Sequence, residues 1–108
     1  MYEERIRARR DEVTSLIGSL ERRHADFVES AAWTTNDDEH DPEGATVAFE
    51  RAQVAALLRQ SRDDLDQLAR ADERLRDGTY GRCQKCGEPI ADGRLEALPA
   101  TTTCIRCA

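Results

Sequence analysis

Cys83-Gln84-Lys85-Cys86-Gly87 and, with seventeen residues between Cys86 and Cys104, Cys104-Ile105-Arg106-Cys107 hold all four cysteines of this 108-residue chain. A two-residue gap lets one tight turn aim two thiolates at the same ion, and two such turns complete a tetrahedron. The spacing therefore predicts a zinc site built from Cys83, Cys86, Cys104 and Cys107, holding one structural Zn2+. Gly87, directly after the first knuckle, suits the left-handed backbone that such turns often need. Four thiolates outweigh the charge of one zinc ion, and Arg82, Lys85 and Arg106 stand beside the ligands to offset the excess. A redox dithiol or a pair of disulfides is the weaker reading, because no secretory signal opens the chain and no βαβ context surrounds the cysteines. Four cysteines also close the coordination sphere, which leaves no open position for a catalytic water.

Upstream of the cysteines the periodicity changes to that of helices. Ile6, Val13, Leu20 and Phe27 recur every seven positions, with Ile17 and Ala31 in the companion row, and charges of both signs fill the gaps between them. That stripe is as narrow as a coiled-coil seam and predicts a helix over residues 2–33. The polar run Thr34-Thr35-Asn36-Asp37-Asp38-Glu39-His40-Asp41 interrupts it and reads as a connection. Asp41 can cap a second helix with Pro42 at its first position and Glu43 in its first turn. The second stripe runs through Val47, Val54, Leu58, Ser61, Leu65, Leu68 and Leu75, and Asp77-Gly78 supplies the stop.

The expected fold is mainly α: an antiparallel two-helix coiled-coil hairpin over residues 1–77, with an acidic tip loop at about 34–43, followed by a small four-cysteine zinc-finger module over 78–108. Residues 79–108 carry no helical stripe. Arg10, Arg23, His24 and Asp72 fall on or beside the seam, so the hairpin is expected to be only modestly stable.

Composition excludes several classes. The chain has room for one small domain and an appendage, which rules out a large multidomain enzyme. Against 16 basic residues stand 22 acidic ones, a net charge of −6, the wrong sign for affinity based on neutralising phosphates. No apolar run approaches the length of a membrane span, and a cytoplasmic protein is expected. No nucleophile, base or open metal site supports an enzyme.

The stretch Gly78-Thr79-Tyr80-Gly81-Arg82-Cys83-Gln84-Lys85-Cys86-Gly87-Glu88-Pro89-Ile90, with Arg94-Leu95-Glu96-Ala97-Leu98-Pro99 and Cys104-Ile105-Arg106-Cys107, resembles the DksA/TraR family of bacterial transcription regulators. The resemblance implies a partner, RNA polymerase, bound through its secondary channel with the coiled coil directed toward the active centre, and regulation of initiation, as in a stress response, without contact to promoter DNA. It implies a tip function for the acidic cluster Asp37, Asp38, Glu39, Asp41 and Glu43. Members of the family carry Asp-x-x-Asp-x-Ala there, whereas this chain, aligned on Asp41-Pro42, has Asp41, Gly44 and Thr46. Members that respond to the alarmone ppGpp place basic residues at the positions of Gln67, Leu98 and Ala108, so ppGpp binding is not expected. A monomer without membrane contact follows from this reading. The alternative is a self-associating coiled-coil structural or adaptor protein whose zinc finger is a docking module.

Overall fold

The computed structural model describes residues 2–33 and 42–108, with the side chains of 2–29 and 45–108. Two long helices, α1 (Tyr2–Trp33) and α2 (Pro42–Asp77), pack antiparallel, and a short helix α3 (Asp92–Ala97) lies between the two cysteine pairs. The bounds expected for the long helices coincide with those observed. Glu3 and Glu4 in the first turn of α1, and Arg74 and Arg76 in the last turn of α2, place charge where the helix dipole favours it. Among the described residues, no helix is long and apolar enough to cross a membrane.

The end of α2 shows how sequence dictates local structure. Gly78 adopts φ +77, the Thr79 N–H donates to the Arg74 carbonyl at 2.9 Å, and the Gly78 N–H donates to the Leu75 carbonyl at 3.3 Å. This is the Schellman arrangement, which satisfies the last carbonyls and turns the chain out of the helix. A side chain at position 78 would be strained by that φ alone.

Contacts divide the chain into two compact units: Met1–Val13 together with Asp63–Ala108, and Thr14–Arg62. In the second of these, Ile17 and Leu20 of α1 and Val54, Leu58 and Ser61 of α2 are buried. An ion pair at 3.7 Å links Glu21 to Arg62 across the helices. Val47, expected on the seam, is instead 43% exposed, and Phe27 is only half-buried. On α2 the buried row thus starts at Val54 rather than one heptad earlier.

In the first unit Ile6 and Val13 of α1 and Leu68 and Ala71 of α2 are buried. Ala71 is 0% exposed and fills the step between Leu68 and Leu75 that the apolar stripe skips. Asp72, expected as a flaw beside the seam, is accommodated by two guanidiniums: Arg76 at 2.9 Å on its own helix and Arg10 at 3.6 Å on the other. Its side chain is only 19% exposed, so the carboxylate is held between the helices instead of projecting into water.

Downstream of Gly78 the same unit holds the cysteine module. Its core is Cys83, Ile90, Leu95 and Cys104, with Tyr2, Tyr80 and Cys107 packed against it. Helix α3 has no signature in the sequence, since one buried leucine in six residues leaves no periodicity to read. Leu95 is the residue that α3 contributes to the core, at 2% exposure.

Candidate metal centre

The first knuckle is shaped by its backbone. An isolated antiparallel bridge joins Arg82 to Pro89, with the Cys83 N–H donating to the Glu88 carbonyl at 2.9 Å and the Ile90 N–H to the Gly81 carbonyl at 2.7 Å. Between these two short arms the Gly87 N–H closes back on the Cys83 carbonyl at 2.8 Å with φ +77. Glycine at position 87 thus has the conformational role its place after the knuckle implies: the turn that returns the chain from Cys86 requires positive φ. The second knuckle is tighter, with the Cys107 N–H on the Cys104 carbonyl at 3.1 Å. One backbone bond ties the knuckles together, from the Gln84 N–H to the Thr102 carbonyl at 2.8 Å.

These turns bring the four cysteine sulfurs within 4.8 Å of one another. The Sγ atoms of Cys86 and Cys104 lie 3.7 Å apart. A zinc ion with Zn–S bonds of about 2.3 Å at tetrahedral angles spaces its ligands about 3.8 Å apart, so the donor set fits the metal in both chemistry and scale. Cys83 and Cys104 are buried, Cys107 is partly buried and Cys86 is exposed. The ligand set is thus shielded on one side by the module core and open to solvent on the other.

Backbone donors aimed at the sulfurs prepare them for a cation. N–H groups of Cys104, Cys86 and Lys85 directed at Cys83 hold its thiol down to about 6, against an opposing push from burial. For Cys104, burial raises the pKa, but hydrogen bonds from Cys107 and Arg106 outweigh it and the net shift is downward. Cys107, which hydrogen-bonds to Cys104, Cys83 and Cys86, is pushed up to about 12. At Cys86 the Glu88 N–H lowers the pKa, and sulfur contacts to Cys83 and Cys104 together with desolvation carry it upward overall. Each pair thus holds one sulfur whose pKa is lowered and one whose pKa is raised. A divalent cation bound by all four sulfurs displaces the remaining thiol protons.

The charged residues beside the cysteines act on the backbone. Lys85 donates to the Cys107 carbonyl at 3.2 Å, joining the first knuckle to the second, and Arg82 donates to the Gly87 carbonyl at 3.3 Å. A supporting layer that sequence reasoning misses lies outside these. Arg94 of α3 donates through Nε to the Thr103 carbonyl at 2.9 Å, directly before Cys104. Tyr80 donates to the Pro99 carbonyl at 2.8 Å and Arg74 to the Ala100 carbonyl at 3.3 Å. Tyr2 meets Tyr80 ring to ring in a tilted arrangement, 5.2 Å between centroids, and donates its hydroxyl to the Asp92 carboxylate. No local spacing signals these contacts, because their partners are up to 90 residues apart in the chain.

Known proteins share both the cysteine module and the helices that precede it. Residues 78–108 match the family described as the prokaryotic dksA/traR C4-type zinc finger. The protein named RNA polymerase-binding transcription factor DksA of Caulobacter vibrioides is 32% identical over 100 residues, covering 93% of this chain and 60% of that protein. The solved structure of transcription factor DksA2 from Pseudomonas aeruginosa superposes with a TM-score of 0.80 at 27% identity, over 98% of this chain and 76% of that one. The module of residues 78–108 belongs to the DksA/TraR zinc-finger family. Its four-cysteine cluster is accordingly a C4 zinc finger with one Zn2+. General stress protein 16O of Bacillus subtilis is 36% identical over 62 residues, 57% of this chain and 38% of that protein. The chain spans less than two thirds of the length of these curated relatives.

Of the tip residues, Asp37, Asp38, Glu39 and Asp41 lie outside the described residues, and so does the side chain of Glu43. Gln67 and Leu98, the positions compared with ppGpp-binding basic residues, both line a shallow cleft with Arg9, Asp64 and Pro99. Gln67 is engaged with Asp63 at 3.3 Å, and Leu98 is 51% exposed.

Proposed function

We propose that this protein is a transcription regulator of the DksA type that binds RNA polymerase through its secondary channel and modulates initiation without binding DNA. In this reading Cys83, Cys86, Cys104 and Cys107 ligate the zinc ion, the zinc finger of residues 78–108 provides the globular docking part, and the hairpin of residues 1–77 carries the acidic cluster from Asp37 to Glu43 toward the polymerase active centre. The protein works in the cytoplasm, as a monomer, and without ppGpp. The observation that carries the proposal is the likeness along nearly the whole chain: 93% of it aligns with the Caulobacter protein named as polymerase-binding, and 98% superposes on DksA2. The zinc finger alone would support only a docking module, whereas a likeness that includes both long helices supports the two-part arrangement.

Net charge supports the DNA-independent mode. At −6 the net charge opposes affinity based on phosphate neutralisation. A regulator that reaches the polymerase through protein contacts does not depend on that term. The test is co-purification of the tagged chain with endogenous RNA polymerase from its own cells, alongside a Cys86→Ser variant with a damaged zinc site. Recovery of polymerase by the parent and its loss from the variant supports the reading, and absence of polymerase from both preparations overturns it.

A further inference from the structure

We infer that the N-terminal turn of α1 is a latch on the zinc module, with Tyr2 as its positioning residue: the turn closes when the four-cysteine site holds zinc and opens when zinc leaves. Tyr2 and Tyr80 both pack against the cluster of Cys83, Ile90, Leu95 and Cys104, so two of the four ligating sulfurs share a small core with the first residues of α1. The Tyr2 hydroxyl donates to Asp92, the first residue of α3. Three residues on, Leu95 sits at the centre of the metal core, and Arg94 between them binds the Thr103 carbonyl beside Cys104. The path from Tyr2 to the second knuckle therefore runs through one six-residue helix with no side-chain cap of its own. A helix that short does not hold its shape unaided, so its form depends on the core that the metal closes.

The contacts on the other side of Tyr2 bind it to α1 and α2. Arg5 lies over the Tyr2 ring at 5.6 Å, and the ring meets Tyr80, which follows directly on the turn that ends α2. The hydrogen bond to Asp92 raises the Tyr2 pKa above its ordinary value, so the phenol stays a donor throughout the neutral range. Coupling of this kind is reciprocal. By whatever factor the closed latch favours zinc, zinc favours the closed latch.

Zinc transfer from the loaded protein to a chromogenic chelator measures the first half, and hydrogen exchange measures the second. Tyr2→Phe keeps the ring and removes the bond to Asp92, and it should speed zinc release about fivefold. Tyr2→Ala also removes the tilted ring contact with Tyr80 and the core contact, and it should speed release about thirtyfold. Val13→Ala weakens the helix seam without touching the metal core and serves as the control, with release within about twofold of the parent. In the parent, chelation should speed exchange at the amides of Ile6–Arg9, whose acceptors are the carbonyls of the first turn, and leave the amides of residues 17–20 unchanged. Release from Tyr2→Ala at the parental rate overturns the latch, as does equal acceleration by Val13→Ala, or exchange at Ile6–Arg9 that is indifferent to zinc. None of these outcomes depends on whether RNA polymerase is the partner.

Discussion

Stripping zinc from the protein should remove a small and calculable part of its helical signal. The module core contains only two aliphatic side chains, Ile90 and Leu95, besides its cysteines. Full burial of two such groups is worth about 3–6 kcal/mol, whereas a structural zinc in a thiolate site contributes about 10–16 kcal/mol near neutral pH. Removal of the metal therefore takes away the larger share of what orders residues 78–108. The long helices keep their own buried residues, Ile6, Val13, Ile17 and Leu20 of α1 and Val54, Leu58, Leu68 and Ala71 of α2. Helix α3 has six residues against 32 in α1 and 36 in α2, so its melting costs about 8% of the ellipticity at 222 nm, rising to about 14% if the first turn of α1 frays with it. The assay is far-ultraviolet circular dichroism before and after a stoichiometric chelator, with zinc added back. Loss of more than a third of the signal would show that the long helices depend on the metal, and no change at all would show that the module needs none. Either result refutes the reasoning.

Other expectations follow from the same geometry. Zinc binding to the reduced, metal-free protein at pH 8 should release about two to three protons, since Cys83 near 6 is already ionised while Cys86 is raised and Cys107 lies near 12; a weakly buffered titration counts them. The sign is that of thiols losing protons to a metal, so lowering the pH weakens binding. Asp72→Ala should lower hairpin stability in urea by about 1 kcal/mol, because one partly shielded carboxylate serves both Arg10 and Arg76. Calorimetry with ppGpp should show no binding at micromolar ligand, since neither Gln67 nor Leu98 offers a positive charge to a diphosphate. Replacing Asp38, Asp41 and Glu43 together by Asn, Asn and Gln should leave polymerase binding nearly intact and abolish the effect on initiation; a triple variant that regulates like the parent would assign no tip function to these carboxylates.

What can be read from the sequence follows the range of the interactions. The long helices are written in repeats of three and four residues, and their ends carry chemistry that acts within a turn, as Pro42 and Gly78 show. The metal site is legible because zinc fixes its ligand spacing within each knuckle. Helix α3 is not, because six residues with one buried leucine have no period. The tyrosine contacts are hidden for another reason: Tyr2 and Asp92 meet only after the whole hairpin has returned the chain to its start. Asp72 reads as a flaw for the same cause, since its compensation by Arg10 comes from the opposite helix. Val47 shows the limit of the stripe itself, in which an apolar residue in phase with the seam is left 43% exposed.

The most direct test of the account is analytical sedimentation of the zinc-loaded protein with purified RNA polymerase, detected through a label on the small chain. The account predicts that the label sediments with the polymerase at one chain per enzyme, and that the protein by itself sediments as a 12.2 kDa monomer. A label that never moves with the polymerase, while the protein alone forms a stable dimer or tetramer, would contradict it in favour of a self-associating adaptor.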